Sequence, residues 1–242
     1  AWATYRGSVP IMRFNSGLIS CFSLASAVLA ELAGARIDSG DSGTFDTITG
    51  ILVAPILSGD PDSAVAVWMS IDSDGNVGEC PNYVVASLIS TVTSDGTQHQ
   101  ASMRWFPQSP VDFPLNMVSG DRVQVTFNAS ESRSGALTFN NLSRGQSVTK
   151  EEFRTDYPLC GRYANWMVGR VAVNGAKVPL ANFSRLTIQS TSAGAWYGPS
   201  YGPAAATILF QMPTDHGGVV QPLTDNDTIS FEADGYVGLQ RR

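Results

Sequence analysis

The sequence predicts a single all-β domain, a sandwich or barrel, and three observations carry that expectation. From Thr44 onward, short runs rich in β-branched and aromatic residues recur, broken every ten or so residues by clusters of Gly, Pro, Asp or Ser. Of the 242 residues, 43% are hydrophobic, enough to bury a large core. No repeat and no linker-like stretch divides residues 1–242, so one domain is expected throughout.

The N-terminal part departs from this pattern. Leu18, Phe22, Ala25, Leu29 and Leu32 recur at helical spacing, and Cys21, Leu24 and Val28 widen the stripe. The spacing predicts an apolar helix over 17–34, packed on the body. Met12 and Arg13, with the run ending Val28-Leu29-Ala30, also have the outline of a signal peptide, but eleven residues precede Met12. The run is shorter than a comfortable membrane span. Ten strands are then expected: Thr47 to Ala54, Ala64 to Ile71, Tyr83 to Thr93, His99 to Phe106, Arg122 to Asn128, Ala136 to Asn140, Ala164 to Val173, Arg185 to Gln189, Thr207 to Met212 and Thr228 to Glu232. Between the eighth and ninth, Ser192 to Pro203 reads as a long loop rich in Gly, Ser and Tyr, of the kind that lines sites.

Charge and composition narrow the partners. Only 15% of residues are charged and the net charge is −6, which gives no footprint for nucleic acid or an anionic membrane. Two widely separated histidines give little basis for a zinc site, and no cofactor motif is present, so neither metal nor cofactor is expected. Four Asn-x-Ser/Thr sequons begin at Asn128, Asn141, Asn182 and Asn226; together they point to a glycoprotein of the secretory pathway. Three cysteines, Cys21, Cys80 and Cys160, permit one disulfide with one thiol over.

Two short motifs have bland explanations. Gly40-Asp41-Ser42-Gly43 has the outline of a serine-protease nucleophile segment, but that mechanism needs a histidine base and no histidine precedes His99. Asp72-Ser73-Asp74-Gly75 begins like a calcium loop, but the later ligands and the terminal Glu do not follow. Both read as polar turns.

A longer constellation is more informative. In order come Phe45-Asp46-Thr47, Val67-Trp68-Met69-Ser70-Ile71-Asp72, Trp105-Phe106-Pro107, Gly120-Asp121-Arg122-Val123-Gln124-Val125, Asn141-Leu142-Ser143-Arg144-Gly145-Gln146, Leu159-Cys160 and Val178-Pro179-Leu180-Ala181-Asn182-Phe183-Ser184. With these segments the chain, from about Thr44 to Glu232, resembles the fungal and bacterial glutamic peptidases, the eqolisins. The resemblance implies a two-sheet antiparallel β-sandwich of the concanavalin/glucanase-like jelly-roll kind, with a groove across one concave sheet. It also implies a disulfide between Cys80 and Cys160, leaving Cys21 as a buried, inert thiol.

Eqolisins hydrolyse peptides with a Gln that binds the developing oxyanion and a Glu that acts as general base and then acid. Six positions after Cys80, where the family's Gln is due, stands Ala86, and the first Gln of the chain is Gln98. Asn165 stands where the Glu is due, and no Glu occurs between Phe153 and Phe231. Loss of one oxyanion donor alone slows such reactions by roughly two to three orders of magnitude, and loss of the base removes most of the rest. The resemblance therefore implies a member without peptidase activity.

If Ala86 and Asn165 mark the groove, strand alternation adds Val84, Leu88, Tyr163 and Met167, with Trp68, Ser70 and Asp72 in the same phase. Where the family carries its specificity wall, this chain has Gln100, Ser102 and Arg104, ending at Phe106. An acidic peptide-reading groove has become neutral to basic and more apolar. Val84, Leu88 and Met167 equally suit a groove that has filled to become core. Relative to the family, Pro10 to Ser42 is an insertion, after Ala1-Trp2-Ala3 with Trp2 at the groove edge; its apolar helix is positioned to roof the groove into a pocket.

Three functions follow. The first is a fungal secondary-metabolism cyclase, of cycloaddition or Diels-Alderase type, acting on a small apolar metabolite: Arg104 or Asn165 bonds a carbonyl, while Trp68, Phe106, Tyr163 and Met167 hold the apolar body. The second is a secreted carbohydrate- or peptide-binding protein without turnover, using Trp196, Tyr197 and Tyr201. The third is an inactive pseudopeptidase with a filled groove. The sequence leaves substrate and oligomeric state open.

Overall fold

The computed structural model describes residues 31–40, 45–73, 80–173, 176–195, 198–215 and 217–234. The strands are β1 (Leu32–Asp38), β2 (Thr47–Val53), β3 (Ala64–Ile71), β4 (Val84–Thr93), β5 (Gly96–Trp105), β6 (Val111–Phe113), β7 (Arg122–Glu131), β8 (Ser134–Asn141) and β9 (Gln146–Arg154). They continue as β10 (Tyr163–Gly169), β11 (Ala172–Val173), β12 (Ala176–Lys177), β13 (Arg185–Gly194), β14 (Ser200–Tyr201), β15 (Ile208–Phe210), β16 (Met212–Pro213), β17 (Val219–Thr224) and β18 (Ile229–Asp234). A seven-stranded sheet runs β15-β1-β10-β3-β4-β5-β6, and a nine-stranded sheet runs β16-β17-β18-β13-β2-β7-β8-β9 with β14 beside β13. The ladders of both sheets are antiparallel. The expected two-sheet β-sandwich is present.

The two sheets differ in how their faces are used. In β7 and β8 burial alternates strictly: Val123, Val125, Phe127, Leu137 and Phe139 point inward, while Gln124, Thr126 and Thr138 point out. In β3, β4 and β10 nearly every residue is buried, so the seven-stranded sheet is covered on both faces at its centre. The runs Ala-Val-Ala-Val-Trp-Met-Ser-Ile and Tyr-Ala-Asn-Trp-Met-Val-Gly carry that signature of two-sided burial. The core between the sheets is crossed by edge-on packing of Trp105 on Phe127 (5.8 Å) and by Phe113 against Phe139 (4.7 Å).

Three expectations change here. Leu32–Asp38 is not the end of a helix or part of an inserted lid; it is β1, paired to β10 on one side and β15 on the other. Helical spacing carried the stripe through Leu32, while the small residues Ala33, Gly34 and Ala35 hid the period of two. Gly34 is required, because a Cβ there would run into Met167 Sδ and the Trp166 carbonyl. The rest of the helix, Trp2 and Cys21 lie outside the described residues, as do Trp196 and Tyr197.

Asn141 is the second change. Its side chain is 0% exposed; Nδ2 donates to Asn116 O and to Asp121 Oδ2 (2.9 Å each), and Oδ1 accepts from Ser143 N. It is a buried structural node rather than a glycan acceptor. Asn226, in the turn between β17 and β18, is exposed. The third change is extent: β9 and β17 lie in stretches the strand pattern passes over, and β13 runs on into the expected long loop. Cys80 and Cys160 form the disulfide that the family resemblance implies, Cα–Cα 5.9 Å.

Candidate functional site

The outer face of the seven-stranded sheet is built from cross-strand rows. One row reads Arg36, Asn165, Ser70, Val85, Arg104 across β1, β10, β3, β4 and β5. The next reads Gly34, Met167, Trp68, Ser87, Ser102, and the one beyond it Leu32, Gly169, Ala66, Ile89, Gln100. Trp68, Met167, Val85, Ile89, Ala64 and Ala66 pack as a second apolar cluster, separate from the core between the sheets. Two glycines let the large side chains lie down on the sheet: Met167 over Gly34, and the Trp68 indole over Gly169.

Asn165 is second in the first row, between Arg36 and Ser70, and is 0% exposed. Arg36 Nε donates to its Oδ1 at 2.8 Å, and Arg36 Nη2 donates to Ser73 O at 3.0 Å. Arg36 is itself only 7% exposed, and its guanidinium stands over the rings of Tyr163 (5.2 Å) and Phe210 (4.9 Å). The hydroxyls of Ser70 and Ser73 are hydrogen-bonded to each other. Asn165 Nδ2 has no acceptor among the described residues.

Asp72 is on this side of the sheet but is occupied. At a positive φ of 67°, its carboxylate accepts backbone N–H bonds from Gly161 (2.8 Å), Arg162 (2.8 Å) and Tyr163 (3.2 Å). Complete burial outweighs those bonds and pushes its pKa above the usual carboxylate range. Asp72 therefore holds the turn that leads from Cys160 into β10 and is not a ligand contact, which corrects its expected role. Beside it, Arg162 clamps Asp38 through two hydrogen bonds (3.0 and 3.2 Å), which hold the Asp38 carboxyl below its ordinary value, and stacks on Tyr163 at 5.0 Å.

The expected site residues divide into three groups. Asn165, Met167, Trp68, Ser102 and Gln100 share the outer face, with Tyr163 at its Arg36 end. Ala86 and Leu88 do not: they point into the core between the sheets with Val84, Ala86 in a row with Trp166, Met69 and Met103. The residue beside Trp68 on the outer face is Ser87, bonded to Ser102 O and Oγ at 3.2 Å each. Counting six positions from Cys80 assumes the family's loop length; one residue more before the strand moves every side chain to the opposite face.

Arg104 forms the third group, with Phe106. Its Nε donates to Gln108 O, and its guanidinium lies 5.0 Å over Phe106, which stacks on Tyr83 at 4.9 Å. It shares a row with Asn165, but three strand spacings separate them, about 14 Å, so the two do not meet on one carbonyl. Arg36, Ser73 and Ser87 are site residues that the sequence reading missed. The signal for Arg36 was a lone charge inside the apolar run Leu-Ala-Gly-Ala-Arg-Ile.

Chemically, the two rows around Asn165 hold Arg, Asn, Ser, Trp and Met and no side chain that exchanges a proton near neutral pH. They can orient an apolar body and donate hydrogen bonds to it.

Comparison with known proteins agrees with the architecture. The chain is 29% identical over 147 residues to aspergillopepsin-2 of Aspergillus niger, covering 60% of this chain and 50% of that protein. It is 29% identical over 148 residues to scytalidopepsin B of Scytalidium lignicola, covering 58% and 55%. It thus spans about half the length of these two relatives. A crystal structure of scytalido-glutamic peptidase with a peptide-based transition-state analogue superposes with a TM-score of 0.71 at 24% identity, over 84% of this chain and 98% of that one. Aspergilloglutamic peptidase from Aspergillus niger gives 0.62 at 26% identity, over 71% and 99%. The Peptidase A4 family matches residues 30–230, and the chain belongs to that family, the glutamic peptidases or eqolisins.

Proposed function

We propose that this chain is a non-proteolytic eqolisin whose outer sheet face binds a compact apolar small molecule and promotes a cyclisation or cycloaddition by orienting it. One observation carries the reading. Where the family's proton-exchanging machinery is due, the outer face offers Asn165 locked to Arg36, with Ser70, Val85 and Ser87 around it and an apolar wall of Trp68, Met167 and Ile89. Hydrolysis needs a base to activate water, and neither Asn nor Ser supplies one here. A unimolecular ring closure needs no proton-exchanging side chain, and holding the substrate in its near-attack conformation with one hydrogen bond lowers its barrier by orientation alone. The disulfide and the sequons fit a secretory compartment.

The test has two arms. Wild-type protein is incubated with a fluorogenic peptide library from pH 2 to pH 7, and no cleavage is expected; cleavage with Asn165 intact overturns the proposal. The double variant Ser87→Gln, Asn165→Glu then puts a Gln and a Glu on the face that the register selects, and measurable peptidase activity in it shows that the lost groups are what silences the scaffold. A second reading is favoured by the two-sided burial of β3, β4 and β10: a filled face with a purely structural role. Absence of any small-molecule binding at Trp68, followed by indole fluorescence, supports the filled face.

A further inference from the structure

Resting on the small-molecule reading above, we propose that Arg36 is a positioning residue that fixes the Asn165 amide so that the face presents one polarised NH2 group as donor, selecting ligands that carry a carbonyl-type acceptor oxygen. A guanidinium has five donors and no acceptor, so the atom 2.8 Å from Arg36 Nε must be the amide oxygen. The flip state of Asn165 is therefore set by chemistry. Arg36 is in turn held by Ser73 O and by the faces of Tyr163 and Phe210, and it sits directly opposite Asn165 in the β1–β10 register. The amide cannot turn without breaking a charge-assisted bond.

What remains is Nδ2, fully buried and without an acceptor among the described residues. A buried donor left unsatisfied is costly, and an acceptor that arrives there relieves the penalty. The cation on the oxygen side pulls electron density through the amide and makes the N–H a stronger donor. On the next row lie Met167 and Trp68, and the cross-strand neighbour but one is Val85, so the body attached to that acceptor is apolar. A ketone, aldehyde, lactone or enone oxygen meets this description; an aliphatic ring without oxygen does not. In an enone the same bond would withdraw electrons from the reacting alkene.

The experiment uses the whole chain with selectively 15N-labelled Asn. Camphor and cyclododecanone are titrated against their exo-methylene isosteres, which keep the shape and lose the acceptor, with Trp fluorescence for affinity and the side-chain amide signals for contact. Expected is at least a tenfold preference for the ketones, with a shift of the Asn165 amide protons that the isosteres do not cause. Asn165→Asp removes the donor at constant shape and is expected to abolish the preference. Arg36→Met is expected to reduce the preference to under about threefold and to let the amide signals exchange, with partial recovery in Arg36→Lys. Equal binding of ketones and isosteres with an unmoved Asn165 signal overturns this inference and leaves the small-molecule reading standing. Binding of neither series overturns both.

Discussion

Replacing Asp72 by Asn is the sharpest probe of how the site is held. The carboxylate receives backbone N–H groups on both oxygens, among them Arg162 and Tyr163 on Oδ1 and Gly161 on Oδ2, with Cys160 also contributing. An amide keeps one acceptor. Its best orientation leaves the oxygen with Arg162 and Tyr163 and turns an NH2 towards the Gly161 N–H. One hydrogen bond to a charged acceptor is lost, worth about 1.5–3 kcal/mol, and two donors then face each other in a buried place. Relief of the buried charge offsets part of this, and the net loss is about 2–3 kcal/mol at pH 7. For a chain of this size that is a fall in Tm of about 4–12 °C. Urea unfolding at constant m-value reads the difference, with Asp38→Asn as control, because its partly exposed pairing with Arg162 is worth under about 1 kcal/mol. If Asp72→Asn is within about 0.5 kcal/mol of wild type and loses ligand binding instead, Asp72 is a ligand contact and the reasoning is wrong.

Three further outcomes are expected. His99 shares hydrogen bonds with Ser90 Oγ (2.8 Å) and Ser119 Oγ (3.1 Å), and burial lowers its pKa from 6.5 to about 4 against the pull of Asp121. Its neutral form is the stabilising one, so its contribution is complete above pH 6.5 and is lost as pH falls from 6.5 to 4; with the ring partly exposed, this amounts to about 1–2 kcal/mol, and His99→Gln should flatten that limb of the stability profile. In a eukaryotic secretory host, peptide mapping should find a glycan at the exposed Asn226 and none at Asn141, and Asn141→Gln should destabilise by about 2 kcal/mol. Cys80→Ser with Cys160→Ser should lower stability by about 4 kcal/mol, on the loop entropy for a separation of 80 residues, as measured by denaturant midpoint.

What the sequence disclosed and what it hid divide along physical lines. Strands whose β-branched runs are bounded by turn residues were legible; Ala64–Ile71 falls on the expected boundaries, because Ser63 and Asp72 punctuate it. β9 was hidden, since Gln-Ser-Val-Thr-Lys-Glu-Glu-Phe-Arg is a polar strand at the edge of a sheet, where pairing and not burial defines it. The outer-face placement of Asn165 followed from strand alternation, and the Asp72-anchored turn fixes its spacing from Cys160. The placement of Ala86 was not legible: the approach from Cys80 has no such anchor visible in the sequence, and a shift of one residue exchanges core for outer face. Arg36 was invisible for a different reason, because its partner is 129 residues away and only the β1–β10 register brings the two together.

The seven-stranded sheet that is buried on both faces has a consequence for how this sequence can drift. In β7 and β8, every second position faces solvent, so a saturation scan should show tolerance and intolerance alternating along the strand. In β3, β4 and β10 that rhythm should vanish, since each residue is packed whichever way it points. A face packed in this way does not drift as free surface. It drifts under the constraint that governs interiors, where the admissible changes are those conserving volume, so side-chain size along these strands is expected to persist longer than side-chain charge.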